Sequence, residues 1–430
     1  VDSNSIGTSS AGFIRYVSAS AGTFSFISQS VFLATKQNMR HNDMRGVTYS
    51  SALPNTGSHY LIYLVNASAA NNQSVIRANT FTNLNLSVNN NLNFIYHSYT
   101  QASSGSLIID SNRIVGAFNA PYPGAFSTSL TQTNATASGG EFVFANNNFS
   151  NITTANQNGL NGVYNLDALK KSIYGNVTDN WNSPGNITVY NTGNTSQANA
   201  RISSNSISQI TSSSAAGTIN AIYHINNNGN NFLIDSNHIT QLAADNVYGI
   251  QLQGNSTQPI SIRYNDIHSL NSSGTGFSVR PVRINSTGAS TVTVSYNKIY
   301  DITCTEALSY AGGISLFTNS TVNILNNLIG DIKAPNSNLG ATAPTIAGIR
   351  EEGGVSSPGI NIYYNTIHLA SSGSGANFSS AGLYIFTFSA LRLRNNILNN
   401  ESVPGALGRS VALWYGGTNI SNYQSVSNNN

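Results

Sequence analysis

The stretch Val294-Ser-Tyr-Asn-Lys-Ile-Tyr-Asp-Ile302 holds a pattern that recurs along the whole chain and predicts its fold. The pattern is an apolar residue, two spacers, an asparagine, one spacer, an apolar residue, two more spacers and a last apolar residue. Thirteen copies have their asparagine at Asn4, Asn42, Asn79, Asn112, Asn147, Asn176, Asn205, Asn237, Asn265, Asn297, Asn327, Asn365 and Asn396. The 12 intervals between the first and the last average about 33 residues, a spacing typical of repeat architectures.

Apolar residues flank the asparagine at fixed positions. Because the copies were aligned on their asparagines, only these flanking positions can show whether the repeat is real. The residue three before the asparagine is apolar in all 13 copies: Val1, Met39, Ile76, Ile109, Phe144, Ile173, Ile202, Ile234, Ile262, Val294, Ile324, Ile362 and Leu393. In a chain that is 40% hydrophobic, chance gives this result on the order of once in 10⁵ trials. Two residues after the asparagine, 12 of 13 residues are apolar, with Thr178 as the exception.

Each repeat has room for three short strands. The first alternates, as in Ile260-Ser-Ile262 and Val292-Thr-Val294, and period-two alternation indicates a strand with one buried face. The asparagine follows at a corner, where we expect it to take the left-handed backbone conformation that asparagine tolerates. The second strand carries the later apolar positions, and the third begins with a small residue such as Gly348. Stacked asparagines are expected to form a hydrogen-bonded ladder from coil to coil.

These features predict an all-β fold, a right-handed parallel β-helix (solenoid) with about 13 coils of three short strands. The unbroken repeat predicts a single domain over residues 1–430. Neither terminus carries a helix-like or charged stretch that would cap a terminal coil, and an uncapped coil exposes its apolar core and strand edges. We therefore expect residues 1–430 to be a segment of a longer protein.

The composition narrows the classes of partner and location. Charged residues make up 8% of the chain, and a solenoid explains this, because like charges stacked one coil apart repel. The net charge of +3 comes without a basic run, so we expect no nucleic-acid partner. No apolar run reaches the roughly 18 residues of a membrane span. The single cysteine, Cys304, is expected to be a buried small residue, and we expect no cofactor and no metal site.

Aromatic and imidazole side chains cluster near the asparagine corner in the coils from Asn265 to Asn365. Positions one before and three after the asparagine should face solvent, and there they are Tyr264, His268, Tyr296, Tyr300, Tyr364 and His368. Flat rings on a rigid ladder are suited to stack on sugar faces, and tyrosine is common at binding surfaces. These residues are the candidate ligand-binding set. The alternative is that they are ordinary residues of a strand surface.

Two acids, Asp301 and Asp331, follow the asparagine by four residues in consecutive coils. At one coil apart they are spaced suitably for a retaining glycosidase pair or for part of a calcium site. The neighbouring coils have Ser269 and Leu369 at this position, so no third carboxylate joins them. We interpret the pair as solvated turn acids and keep catalysis and calcium binding as the two alternatives.

The chain as a whole resembles right-handed parallel β-helix repeat proteins, the pectate-lyase-like solenoids. Enzymes of that group imply polysaccharide lyase or hydrolase activity. The polygalacturonases use Asn-Thr-Asp, Asp-Asp and Gly-His-Gly motifs, and none of these occurs in this sequence. Arg280-Pro-Val-Arg283 is a poor match to the Arg-x-Pro-x-x-Arg motif of the lyases. A shared fold alone does not imply their activity.

The C-terminal part resembles a segment of very large secreted proteins of the Bacteroidota. The resemblance lies in the sequences LRNNILNNESVPG at 393–405, GRSVA at 408–412 and SNYQSVSNNN at 421–430. Such proteins are usually exported by type IX secretion, which implies an extracellular or cell-surface location. We therefore expect a non-enzymatic extracellular solenoid, serving as a stalk, adhesin or matrix component, with surface glycans or cell-surface proteins as partners. The alternative is a polysaccharide-binding module or a polysaccharide lyase or hydrolase.

Overall fold

A computed structural model of the chain describes most of its residues. The described residues are 1–7, 14–16, 21–31, 36–49, 56–66, 73–86, 88, 90–98, 104–121, 128–133, 140–155, 158–164, 170–192, 199–227, 231–274, 276, 278–286, 288, 290–339, 341–353, 359–386, 390–416, 423–428 and 430. The chain forms two compact units, unit 1 from Val1 to Gly217 and unit 2 from Thr218 to Asn430. The prediction of one domain over residues 1–430 stays a prediction.

β-Strands are the only regular secondary structure among the described residues of unit 1. They are β1 (Ser5–Ile6), β2 (Ile14–Tyr16), β3 (Phe24–Val31), β4 (Lys36–Arg40), β5 (Asp43–Arg45), β6 (Val47–Tyr49), β7 (His59–Asn66), β8 (Gln73–Arg77), β9 (Thr80–Asn85), β10 (Leu92–Ser98), β11 (Ser106–Asp110), β12 (Arg113–Ala120), β13 (Thr128–Thr133), β14 (Glu141–Ala145), β15 (Ile152–Thr154), β16 (Leu160–Tyr164), β17 (Lys170–Tyr174), β18 (Val177–Ser183), β19 (Ile187–Asn191), β20 (Asn199–Ser203) and β21 (Ser206–Ser212).

Unit 2 is likewise built of strands throughout its described part. They are β22 (Thr218–Asn227), β23 (Phe232–Asp235), β24 (His238–Ala244), β25 (Asn246–Asn255), β26 (Ile260–Arg263), β27 (Asp266–Ser272), β28 (Ser278–Ser286), β29 (Thr291–Ser295), β30 (Lys298–Cys304), β31 (Tyr310–Leu316), β32 (Thr321–Leu325), β33 (Leu328–Gly330), β34 (Ile332–Lys333), β35 (Ile346–Glu351), β36 (Ile360–Tyr363), β37 (Thr366–Leu369), β38 (Ser380–Ile385), β39 (Leu391–Arg394), β40 (Ile397–Asn400) and β41 (Ser410–Tyr415).

Each turn of the chain adds one strand to each of three parallel sheets. In unit 1 the first sheet is β4-β8-β11-β14-β17-β20, the second is β1-β5-β9-β12-β15-β18-β21 with β2 and β6 alongside, and the third is β3-β7-β10-β13-β16-β19. In unit 2 the first sheet is β23-β26-β29-β32-β36-β39, the second is β24-β27-β30-β33-β37-β40 with β34 on β30, and the third is β22-β25-β28-β31-β35-β38-β41.

The register of the strands follows the sequence repeat. In the first sheet of unit 2, Ile262 faces Val294 and Val294 faces Ile324, so equivalent positions of successive repeats stack directly on one another. The predicted all-β parallel solenoid is therefore confirmed. The solenoid has about 10 turns, fewer than the 13 coils that the repeat predicted. The copy at Asn4, for example, contributes only the bridge between Asp2 and Arg40 to the first sheet.

The core consists of the stacked apolar columns that define the repeat. The residue three before the asparagine is at most 2% exposed in every copy except the first, where Val1 is 57% exposed. Thr178, the polar exception in the second column, is also buried, and Trp181 beside it donates its indole N–H to the Phe149 carbonyl at 2.6 Å. Cys304 is buried as predicted, and burial raises the pKa of its thiol to about 12.

The asparagines form the predicted ladders. In unit 1 hydrogen bonds link Asn4, Asn42, Asn79, Asn112, Asn147, Asn176 and Asn205 in succession. In unit 2 they link Asn237, Asn265, Asn297, Asn327, Asn365, Asn396 and Asn430. In the interior rungs the side-chain amide also donates to a backbone carbonyl of the preceding turn, as from Asn297 to Ile262 at 3.0 Å. Buried amides satisfied in this way stabilise the corner.

The prediction that the asparagine itself takes the left-handed conformation is wrong. The left-handed residue is the one before it, with φ between 52° and 65° at Ser3, His41, Ala78, Ser111, Asn146, Gly175, Ser204, Ser236, Tyr264, Tyr296, Asn326, Tyr364 and Asn395. The physical reason is the ladder: the asparagine side chain must point into the stack, so the sharp bend falls on its solvent-facing neighbour. A second left-handed residue follows the asparagine by four positions, as at Asp301 and Asp331.

Among the described residues, no helix has the length and apolar character needed to cross a membrane.

Candidate functional site

The candidate residues lie in two parallel rows on the outside of unit 2. The corner row holds the residue before each asparagine: Ser236, Tyr264, Tyr296, Asn326, Tyr364 and Asn395. The strand row, three residues after each asparagine, is set by the register of the second sheet: Thr240, His268, Tyr300, Gly330, His368 and Asn399. Successive members of a row are one strand spacing apart, about 4.8 Å.

Rings in adjacent turns stack face to face. Tyr264 and Tyr296 have centroids 5.0 Å apart with planes at 14°, and His268 and Tyr300 have centroids 4.6 Å apart at 12°. The rings therefore cover one another's faces along the row. A sugar can stack only where the face of a ring is left open, which happens where a row is interrupted.

Both rows are interrupted at the same turn. The turn of Asn327 carries Asn326 and Gly330 at the two positions where the adjoining turns carry rings. Leu328 lies between them on the same outer surface and is 50% exposed. This space has Tyr296 and Tyr300 as one wall and Tyr364 and His368 as the other, and it is called the aromatic slot below.

The walls of the aromatic slot are two strand spacings apart, about 9.6 Å. Three of the four wall residues have contacts on the side that faces away from the slot. Tyr296 stacks on Tyr264, and burial and the hydrogen-bonded Asp266 carboxylate raise the pKa of the Tyr300 hydroxyl. On the other side the His368 ring points toward Glu401, with Nε2 3.8 Å from Oε2. The three tyrosines of the walls keep exposed surface: Tyr296 is 49%, Tyr300 38% and Tyr364 57% exposed.

Asp301 and Asp331 lie in adjacent turns, as predicted, and Lys333 joins them. The Lys333 ammonium is 2.7 Å from Asp331 Oδ1 and 4.0 Å from Asp301 Oδ1. The Ser269 hydroxyl donates to Asp301 Oδ2 at 2.7 Å. The carboxylates of a glycosidase must flank the scissile bond, and here a lysine occupies the space beside both of them. Their contacts are those of a surface ion-pair network.

A shallow cavity adjoins Asp301. It has a volume of about 300 Å³ and is lined by Ser269, Leu270, Asn271, Asp301, Thr303 and Thr305. Its hydroxyl, amide and carboxylate groups are the kind that bind the hydroxyl groups of a small polar ligand. Because Asp301 directly follows Tyr300 in the chain, the cavity begins where one wall of the aromatic slot ends.

The structure brings together a cluster that the sequence analysis did not single out. His238, Asp266 and His268 have ligand atoms that all lie within 4.8 Å of one another. Asp266 is the register partner of His238 on the neighbouring strand, and His268 follows Asp266 by two residues on the same face. A search of the sequence for different metal-ligand residues at facing positions of adjacent turns, rather than for one repeated residue type, could have found this cluster. His368 is three strands from His268 and takes no part.

The third sheet of unit 2 carries a second polar cluster, which is structural. Arg280 donates to both carboxylate oxygens of Glu352, at 2.9 and 3.2 Å, and its guanidinium lies 4.8 Å from the centre of the Tyr310 ring. Arg350 lies over the other side of the same surface, 4.4 Å from the Tyr310 ring centre. Arg280 and the Arg350 side chain are almost fully buried, and Glu352 is the counter-ion that they share.

Comparisons with protein-family models, with curated proteins and with solved structures found no match to this chain.

Proposed function

We propose that this chain is a non-enzymatic extracellular solenoid, acting as a stalk, adhesin or matrix component, that binds surface glycans in the aromatic slot. The observation that carries the proposal is the interruption of both ring rows at one turn. Because of this interruption, four ring residues flank the turn of Asn327, and the exposed Leu328 lies between them.

The width of the slot favours a sugar over a flat ring. Atoms in van der Waals contact are about 3.5–4.0 Å apart, so a flat guest between two walls fills about 7–8 Å. A pyranose chair is puckered and thicker, and it suits a gap of about 9.6 Å. The apolar face of a pyranose can stack on tyrosine while its hydroxyl groups reach the neighbouring polar residues. The cavity beside Asp301 supplies such groups.

Backbone strain supports a role for the tyrosine side chains. Tyr264, Tyr296 and Tyr364 have φ of 55°, 57° and 60°, and a bulky residue in this region costs on the order of 1–2 kcal/mol. Ten other turns fill the same position, and most use serine, asparagine, alanine or glycine. Strained residues concentrate at functional sites, so tyrosine here is better explained by binding than by folding.

The absence of catalysis is part of the proposal and rests on Lys333. Its ammonium contacts both Asp301 and Asp331, the two acids whose spacing suggested a glycosidase pair. The extracellular or cell-surface location rests on the low charge content and on the resemblance of residues 393–430 to exported proteins of the Bacteroidota. Cell-surface proteins are the other partners that this location suggests.

A glycan array followed by titration calorimetry on the best glycan tests the proposal. Tyr296→Asn with Tyr364→Asn should weaken binding at least about 10-fold, because two stacking contacts of about 0.5–1.5 kcal/mol each are lost. Asparagine already stands at this position in neighbouring turns, at Asn326 and Asn395, so the double variant should fold normally. Asn326→Tyr, which inserts a ring into the slot, should abolish binding.

Tyr264→Asn is the matched control. It changes an exposed, left-handed, stacked tyrosine on the far side of Tyr296 from the slot, and binding should be retained. Wild-type affinity in Asn326→Tyr, or a wild type that binds no glycan, would contradict the proposal. Cleavage of an acidic polysaccharide by the wild type, lost in Asp301→Asn with Asp331→Asn, would instead establish the enzymatic alternative.

A further inference from the structure

We infer that His238, Asp266 and His268 form a binding site for a divalent transition metal ion, with zinc as the best fit. This site adjoins the aromatic slot at Tyr300, whose ring stacks on His268, but the inference does not rest on glycan binding. Its ligands come from two adjacent turns of the second sheet. The inference rests on the placement of the three ligands, on an unpartnered carboxylate oxygen and on the hydrogen bonds that orient one imidazole.

The placement follows from the sheet. His238 and Asp266 are register partners on β24 and β27, about 4.8 Å apart at the backbone. His268 is two residues beyond Asp266, so its side chain emerges on the same face. The three ligand side chains thus lie close together on the outer face of β24 and β27. The His238 Nδ1 and Asp266 Oδ2 atoms are 3.8 Å apart, and all three ligand groups fit within 4.8 Å.

These separations are close to those of a bound zinc ion. Bond lengths of about 2.0–2.2 Å in a tetrahedral site place ligand atoms about 3.3–3.5 Å from one another. The ligand atoms must move closer together by only a small distance, and His238 can move because 48% of its side chain is exposed. Two imidazoles and one carboxylate suit zinc and its neighbours in the first transition row, whereas calcium and magnesium take oxygen ligands.

The Asp266 carboxylate is hydrogen-bonded to the Tyr300 hydroxyl, but one of its two oxygens has no partner. Its Oδ1 is shielded from solvent and has no hydrogen-bond partner, although buried polar atoms are almost always satisfied. The next residue of the same row, Lys298, faces Asp266 in register. No ion pair joins these two described side chains. A metal ion would satisfy the carboxylate.

The His268 ring is oriented for metal binding through Nε2. Its Nδ1 lies 3.1 Å from the Thr240 hydroxyl and 3.0 Å from the Ser269 hydroxyl. Ser269 in turn donates to Asp301, so its hydroxyl oxygen is available to accept the Nδ1 proton. Metal-binding histidines generally donate their other ring N–H in this way. Stacking on Tyr300 fixes the plane of the ring. Asp301 thereby acquires a positioning role.

Titration of the untagged, chelator-treated 430-residue chain with Zn²⁺ by calorimetry tests the site. We expect one Zn²⁺ per chain. His238→Ala, Asp266→Asn and His268→Ala should each weaken binding at least about 10-fold, and Ser269→Gly, which suits the left-handed φ of 55°, should weaken it by about 10-fold. Lys298→Gln should tighten binding, because it removes a like charge beside the ion.

The His368→Ala variant is the control, since it removes an exposed imidazole of the same row that lies outside the cluster. Its affinity should equal that of the wild type. Circular dichroism at 25 °C verifies that each variant is folded, and the visible spectrum of the Co²⁺ complex reports the ligands directly. The Ser269→Gly variant should keep its fold and show an altered Co²⁺ spectrum. Binding that is absent in the wild type, or equally strong in His238→Ala and Asp266→Asn, would overturn the inference.

Discussion

At the scale of single residues, Asn297 shows how an interior ladder asparagine is hydrogen-bonded to the turns on both sides of it. Asn297 donates from its backbone N–H and its amide to Asn327 Oδ1, at 3.0 and 2.9 Å, and from the amide to the Ile262 carbonyl. Its own Oδ1 accepts the equivalent two bonds from Asn265. Both faces of the side chain are therefore committed to neighbouring turns.

Truncation of one rung should be strongly destabilising. In Asn297→Ala, the buried donors of Asn265 and the Ile262 carbonyl each lose a partner, and we expect a loss of about 2–4 kcal/mol in the free energy of unfolding. Urea unfolding followed by circular dichroism measures it. Asn271→Ala, at an exposed position of β27, should change stability by less than about 0.5 kcal/mol. Equal losses in the two variants would show that the ladder contributes nothing specific.

The sequence analysis located the ladder correctly but assigned the left-handed backbone conformation to the wrong residue. The asparagine column and its apolar neighbours repeat, so they could be predicted. The left-handed residue could not, because its position accepts serine, tyrosine, histidine and glycine alike. Packing does not determine its identity, because most of these side chains are exposed to solvent. The sequence analysis missed the cluster of His238 and Asp266 for the same reason. These two residues share one row with Lys298, and the three side chains differ in chemistry, so no repeated residue type marks the row.

At the scale of the strand, the small residues that were predicted to begin the third strand lie inside it, Gly348 in β35 and Gly313 in β31, and they have a packing explanation. A Cβ added to Gly348 would lie 2.4 Å from Ile367 Cγ2 of the second sheet and 2.7 Å from the Gly382 carbonyl oxygen. Gly313 meets Ile329 in the same way, at 2.7 Å. The second and third sheets approach too closely there for a side chain. The sequence showed the small residues, but their contacts required the structure.

Gly348→Ala should therefore destabilise the chain by about 1–3 kcal/mol through overpacking. The matched control is Gly312→Ala in the same sheet, where an added Cβ would meet only the Ser315 hydroxyl oxygen as close as 3.1 Å. A double-mutant cycle with Ile367→Ala should show coupling, because removing Cγ2 relieves the clash. Denaturant unfolding gives all four free energies. Strict additivity would mean that the Ile367 contact is not the cause.

At the scale of the whole molecule, the chain combines few charges with buried histidines. It has 15 acidic residues in 430, so the protonation of carboxylates, the usual cause of acid unfolding, has few sites on which to act. Unit 1 instead buries two imidazoles. Burial lowers the pKa of His59 to about 4, and it lowers the pKa of His97 well below its usual value. The Nδ1 atom of His59 lies 2.9 Å from the Gly57 carbonyl oxygen, consistent with a neutral ring that donates there.

Stability should consequently fall as the pH drops from about 6.5 toward 4. Above pH 6.5 these rings are neutral in both the folded and the unfolded chain. Below pH 6.5 the unfolded chain binds protons that the buried rings of the folded chain do not bind. Each histidine then lowers the free energy of unfolding by up to about 1.4 kcal/mol per pH unit. Between pH 6.5 and 5, carboxylates stay ionised and add little. The fluorescence of Trp181, buried in unit 1, reports this loss in a Trp414→Phe background, since the chain has 2 tryptophans.

Substitution of the buried rings tests the origin of the pH dependence. His59→Gln and His97→Gln should lower stability at pH 7 and yet flatten its dependence on pH between 6.5 and 5, because the group that titrates in the unfolded chain is gone. His368→Gln, on the exposed surface, should leave the slope unchanged. A slope that stays the same in both buried-histidine variants would assign the acid sensitivity to the carboxylates, and the low charge of the solenoid would then offer no protection from acid.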